Sequence, residues 1–223
     1  MPVERRKVQT IKPSPLNGFL AFLGQAFKNH RHTGAVMPSS SVLAKAMTRP
    51  IRKLPSPKRL LEVGPGTGPF TRCMLEALDD GDELHIVEIN PIFARRLEDK
   101  LLRPFRQKHP HIKVKLYCQA IESADLKGRF DYIVCGLPFN NFPPPVVRVI
   151  FRRLMGLLAE GGELVYFEYA GVRVMKAPLV GEKGRRQLKR ISQVGKVLRR
   201  KHGGRRELVL GNMPPAVTVR LVR

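Results

Sequence analysis

One stretch constrains this chain more than any other: Arg59-Leu60-Leu61-Glu62-Val63-Gly64-Pro65-Gly66-Thr67-Gly68-Pro69-Phe70. The apolar run Leu60, Leu61, Val63 suits a strand covered on both faces. Gly64, Gly66 and Gly68 let the backbone turn tightly and come close to a ligand, where a Cβ would intrude. A helix from about Phe70 then offers unpaired N–H groups beside that ligand. In such crevices an acidic residue about 20 positions on, closing a second strand, binds a ribose. Glu88 stands at the end of Glu83-Leu84-His85-Ile86-Val87-Glu88, with Ile89 next to it. Strand, glycines, helix, second strand and terminal acid in register predict a nucleotide-type ligand.

The loop also selects the nucleotide. It lacks the G-K-[ST] of a phosphate-gripping loop. Glu62 would set a carboxylate against a pyrophosphate, which is unfavourable. The same carboxylate beside the amino group or sulfonium of S-adenosylmethionine is favourable. Glu62-Val63-Gly64-Pro65-Gly66-Thr67-Gly68 resembles the first motif of class I S-adenosylmethionine-dependent methyltransferases. That resemblance implies a cofactor held by Glu62, Gly64, Gly66, Thr67 and Gly68, with Glu88 and Ile89 at the ribose. Gln119 and Ala120 would lie at the adenine edge, and Gly136 and Leu137 at the rim nearest the acceptor.

The body alternates strand and helix: helix 69–78, strand 83–89, helix 91–108, strand 114–119, strand 130–136, helix 146–159, strand 163–169. Gly161-Gly162 reads as the stop of the sixth of these elements. Alternation predicts a parallel sheet with ligands at the carboxyl ends of its strands. Strands 206–210 and 217–222 read as an antiparallel hairpin. The expected fold is α/β and Rossmann-like: a seven-stranded, mostly parallel sheet, with an amphipathic helix ahead of it. Residues 1–15 read as a basic arm, 16–57 as that helix and a lid segment, and 58–223 as the methyltransferase domain.

Charge is partitioned along the chain. The net formal charge is +23: +11 over residues 1–60, −1 over 61–170 and +13 over 171–223. A neutral body between cationic flanks predicts a polyanionic partner, either nucleic acid or an anionic leaflet. A basic helix over 184–201 carries Leu188, Ile191, Val194, Val197 and Leu198 on one face. Arg185, Arg186, Lys189 and Arg190 are among the cations around it. Near the N-terminus, Phe19, Leu20, Phe22, Leu23 and Phe27 fall at helical spacing and end in a basic run. They suit either packing onto the domain or insertion at an interface. No apolar run approaches the ~18 residues of a membrane span. The basic N-terminal stretch lacks an apolar run followed by a cleavage site, so no secretory signal is expected, and Cys73, Cys118 and Cys135 lack metal-ligand spacing. A cytoplasmic protein, peripheral on the inner face of the membrane and without a metal, is expected.

A second resemblance is narrower. Gly34-Ala35-Val36-Met37-Pro38-Ser39-Ser40, followed by Leu43-Ala44-Lys45-Ala46-Met47, is similar to the segment ahead of the glycine loop in bacterial phospholipid N-methyltransferases. These methylate phosphatidylethanolamine. The likeness implies a lid that brings Ser39 and Ser40 to the cofactor. It also implies an aminolipid acceptor, either phosphatidylethanolamine or an amino-acid lipid such as ornithine lipid. Cys135-Gly136-Leu137-Pro138-Phe139-Asn140-Asn141-Phe142-Pro143 would shape the acceptor pocket. The alternative is an rRNA adenine N6-methyltransferase. That family has Asn-Leu-Pro-Tyr/Phe here and holds the adenine amine with the Asn, where this chain has Gly136. Glu168 and Tyr169 are the expected pair for the acceptor ammonium, by charge and ring face, with Asn140 as a further catalytic candidate.

Overall fold

The structure, a computed structural model, describes residues 40–139, 142–169, 182–212 and 214–223. All lie in one compact unit running from Met37 to Arg223. Ser39, Asn140 and the Phe19–Phe27 face lie outside the described residues.

Helix α1 (Ser41–Thr48) opens the described chain. Ser40 caps it, its hydroxyl accepting from the Leu43 N–H. Leu43, Met47 and, in the 3-10 turn after it, Ile51 are wholly buried. These residues, grouped by sequence with the lid, pack into the main hydrophobic core. Strand β1 (Arg59–Val63), α2 (Pro69–Leu75) and β2 (Glu83–Val87) follow. Helix α3 (Pro91–Leu97) runs through a π turn (Glu98–Leu102) into α4 (Arg103–Lys108). Then come β3 (Lys113–Tyr117), β4 (Phe130–Cys135), α5 (Pro144–Leu157), β5 (Leu158–Tyr169), α6 (Glu182–Lys201), β6 (Arg205–Val209) and β7 (Ala216–Val222).

The seven strands form one sheet in the order β3-β2-β1-β4-β5-β7-β6. Strands β1 to β5 pair in parallel, and β7 is antiparallel to both β5 and β6. This is the expected fold. The order reverses between β1 and β4, which is where open α/β sheets bind ligands.

Two expectations need correction. The Gly161-Gly162 pair does not end a helix. Helix α5 stops at Leu157, and both glycines lie inside β5. There the Gly162 Cβ position is 2.9 Å from the Phe130 carbonyl oxygen, so close strand packing, not helix termination, explains that glycine. The apolar stripe of the basic helix is also narrower than its spacing implied. Ile191 and Gly195 are buried, whereas Val197 is 64% exposed.

Candidate active site

Three strands end level and bring their following loops to one rim. The Gly64 N–H donates to the Val87 carbonyl at 2.9 Å, the Glu88 N–H to Tyr117 at 3.0 Å and the Gly136 N–H to Val63 at 2.8 Å. The parallel register thereby collects Glu62, Gly64, Gly66, Thr67, Gly68, Glu88, Gly136 and Leu137 at the switch point. The loop glycines adopt φ of 71°, 57° and 87°, the left-handed region. At Gly66 a Cβ would meet nothing within 4 Å, so the loop's backbone faces open space there.

Glu62 is the chemical centre of this rim. It is fully buried, and neither carboxylate oxygen has a hydrogen-bond partner. Burial pushes its carboxyl up to about 8, and the nearby Glu88 adds to this. The Thr71 hydroxyl works the other way, without completing a hydrogen bond of its own. An uncompensated buried carboxyl is costly, and a cation laid against it removes the cost. The ammonium and sulfonium of S-adenosylmethionine are such cations, so the residues present fit that cofactor.

Glu88, 2% exposed, is held as a brace. Its Oε2 accepts from the Gly66 N–H at 3.0 Å and its Oε1 from the Asn90 N–H at 2.8 Å. Desolvation raises its carboxyl while these N–H groups oppose the rise. A carboxylate offers about four lone-pair sites, so acceptor capacity remains for ribose hydroxyls. Ile89 is half-buried beside it. Gln119 is exposed and Ala120 buried, two and three residues past the end of edge strand β3. Ser40 caps α1, and its side chain is engaged there as an acceptor. Its N–H donates to Asn212 Oδ1 at 2.9 Å.

Gly136 is required by packing. A Cβ there would stand 2.5 Å from the Gly64 carbonyl oxygen and 3.2 Å from the Phe70 ring. The first position of the loop after β4 therefore admits no side chain. Next to it, Leu137 fills the space over Gly64. Phe139 is buried in an aromatic cluster with Phe151, at a 4.5 Å centroid distance, and Tyr166, at 5.7 Å.

The expected Glu168–Tyr169 pair does not form one cradle. Neighbours along a strand point to opposite faces. Glu168 lies toward α6 with Tyr166 and is ion-paired to Arg199 at 3.5 Å. Tyr169 packs beside Phe167 on the α1 face, at 5.1 Å between ring centroids. Register places Glu62 opposite Val134 and Val134 opposite Val165, so Glu62 shares its face with Phe167 and Tyr169. Tyr169, not Glu168, shares the Glu62 side of the sheet.

Sequence reasoning missed Thr71, Asn90 and Asn212. Asn90 was findable as an N-cap before Pro91, and its side chain accepts from the Ile92 N–H at 2.9 Å. Thr71 and Asn212 carry no local signal. Among the described residues no His/Cys/Asp/Glu cluster could hold a metal ion. No helix there is long and apolar enough to cross a membrane.

This sheet order with this glycine rim defines a class I S-adenosylmethionine-dependent methyltransferase. Residues 39–202 match the family described as methyltransferase domain, and the chain belongs to it. A curated relative, the ornithine lipid N-methyltransferase of Singulisphaera acidiphila, is 27% identical over 149 residues. The match spans 66% of this chain and 76% of that protein. Among solved structures, the O-methyltransferase TomG of Streptomyces achromogenes in complex with S-adenosylmethionine superposes with a TM-score of 0.57. It is 15% identical and covers 96% of this chain and 92% of that one. The N-methyltransferase NodS of Bradyrhizobium japonicum WM9 gives 0.56 at 15% identity, over 81% and 93% of the two chains. At these identities the structural likeness shows the fold. Proteins of this fold bind S-adenosylmethionine or S-adenosylhomocysteine, the cofactor that the glycine loop and Glu62 predict.

Proposed function

We infer that the protein methylates the amine of a lipid headgroup, ornithine lipid or phosphatidylethanolamine, while working at an anionic membrane surface on the cytoplasmic side. The observation that carries this reading is the match to a relative named an ornithine lipid N-methyltransferase, 27% identical over 149 residues. The buried glycine at the acceptor rim supports it. The Gly64 carbonyl occupies the place of any Cβ at Gly136, so the asparagine that an adenine amine needs cannot stand there.

When bound, the cofactor supplies a methyl group on a sulfonium, which a neutral nitrogen takes as the sulfur keeps the bonding pair. The chain's own residues then have separable tasks. Glu62 balances the cofactor's positive charge, Glu88 and its two N–H partners hold the loop, and Leu137 closes over Gly64. Burial keeps the Tyr169 phenol protonated, so its ring and hydroxyl are a neutral wall for the acceptor. The acceptor nitrogen arrives with a proton that must leave first, so turnover rises with pH toward the amine's own pKa.

The test offers labelled cofactor with ornithine lipid, phosphatidylethanolamine or an adenine-containing RNA fragment. Label on either aminolipid supports the proposal, and label on the RNA alone refutes it.

A further inference from the structure

Helices α5 and α6 lie side by side on the sheet face away from α1, and an open groove separates them. Arg148 and Arg152 of α5, Lys196, Arg200 and Lys201 of α6, and Arg223 just past β7 line it. No acidic side chain among the described residues does. The five helix cations have no ion pair among the described residues. Glu168 of β5 is taken by Arg199 of α6, which turns inward with 17% of its side chain exposed.

The floor is apolar. Met155, Val194 and Leu198 are half-buried, and Val197 is 64% exposed. Gly156 sits in the last turns of α5, exposed, and a Cβ there would meet nothing within 4 Å. Glycine is the weakest helix former after proline, and nothing among the described residues requires one here. Something laid against the helix would.

We propose that this groove docks the protein on a bilayer by taking the headgroups of anionic phospholipids, their phosphates against its six cations and Val197 at the acyl boundary. A rim of unpaired cations over an aliphatic floor fits charged headgroups above hydrocarbon. It lacks the exposed aromatic rings on which single-strand-binding grooves ordinarily stack bases. The exposed large apolar side chains among the described residues are all aliphatic, and Phe151 is buried beneath the groove at 3% exposure. The proposal deepens the reading of an enzyme that works on lipid and rests on it for its biological sense, while vesicle binding stands or falls independently of the acceptor.

The test measures binding of the full chain to phosphatidylcholine vesicles with and without phosphatidylglycerol, and to a single-stranded RNA oligomer. The unmodified chain binds the anionic vesicles more tightly than the neutral ones. At about five-fold per cation lost near a membrane surface, the pair Arg152→Ala/Arg200→Ala weakens anionic-vesicle binding roughly 30-fold. Gly156→Glu weakens it as well. The pair Arg95→Ala/Arg96→Ala, equally exposed but on α3, removes the same charge and changes binding less than three-fold. S-adenosylmethionine affinity, unchanged in every variant, shows that each is folded. Equal losses from both arginine pairs would overturn the groove in favour of net charge alone. Tighter binding to RNA, lost in the groove variants, would overturn it in favour of nucleic acid. Methylation of a dispersed short-chain aminolipid without vesicle binding would sink the groove alone. Vesicle binding without methylation of any aminolipid would sink the acceptor reading alone.

Discussion

Glu62 holds more of the chemistry than any other side chain in the molecule, and its titration is the way to see it. Its folded value of about 8 lies above the ordinary 4.5. The folded state therefore binds more protons than the unfolded state between those values, and the group's stabilising share falls as pH rises through that window. The loss is at most roughly 4 kcal/mol by pH 8. Thermal melts of the cofactor-free protein between pH 5 and about 8 should therefore show declining stability, and Glu62→Gln should flatten the slope. Binding a cation ionises the carboxyl, so cofactor affinity should rise with pH over the same range, with a proton released. Calorimetry in buffers of different ionisation enthalpy measures that release. In Glu62→Gln the release disappears and affinity falls about 10- to 100-fold, the worth of one charge-assisted contact. Gly136 permits an equally specific prediction. Its Cβ would stand 2.5 Å from a backbone oxygen, so Gly136→Ala must push the β4 loop off the glycine loop. A stability loss of about 1–3 kcal/mol, with a larger proportional loss of cofactor binding, is expected from melts and calorimetry together.

Two buried connections hold elements in place around the rim. Arg220 of β7 donates to the Ala46 carbonyl at 2.6 Å, to the Tyr132 hydroxyl at 2.7 Å and to Glu163 at 3.0 Å, while Tyr132 donates to the Met47 carbonyl at 2.8 Å. These bonds pin α1 to β4, β5 and β7 at once. Arg220→Met should cost about 2 kcal/mol, read as a lowered melting temperature. On the other face, the Arg199–Glu168 pair ties α6 to β5. Glu168→Gln should cost about 1 kcal/mol or less and leave the acceptor KM unchanged. A several-fold rise in that KM would restore Glu168 to the acceptor site. The mostly parallel sheet, its terminal hairpin and the glycine rim were legible in the sequence because strand alternation, Gly64-x-Gly66-x-Gly68 and the distance to Glu88 are local patterns. The Glu168–Tyr169 assignment failed because adjacency in sequence is opposition in a strand. The ties of Arg220 and Asn212 to α1 were illegible because they span more than 170 positions. The Gly161-Gly162 stop failed because the same dipeptide serves helix ends and tight strand packing, and only the β4–β5 contact decides between them.

Taken whole, the molecule separates its charge from its chemistry. The stretch that builds the cofactor rim is close to neutral, while the segments before and after it carry +11 and +13. Charge so placed does little for a cofactor whose site is already organised by one buried acid, and much for association with an extended anionic surface. Raising salt from low to physiological ionic strength should therefore weaken vesicle association steeply while leaving S-adenosylmethionine affinity nearly unchanged. The decisive measurement is the destination of the methyl group. With methyl-labelled cofactor, below saturation, and a mixture of total bacterial lipid and total RNA, the label should appear in the aminolipid fraction and fall in proportion to the weakened cofactor affinity in Glu62→Gln. Label on RNA adenine, with the lipid fraction blank, would contradict the assignment of the acceptor however well the cofactor rim performs.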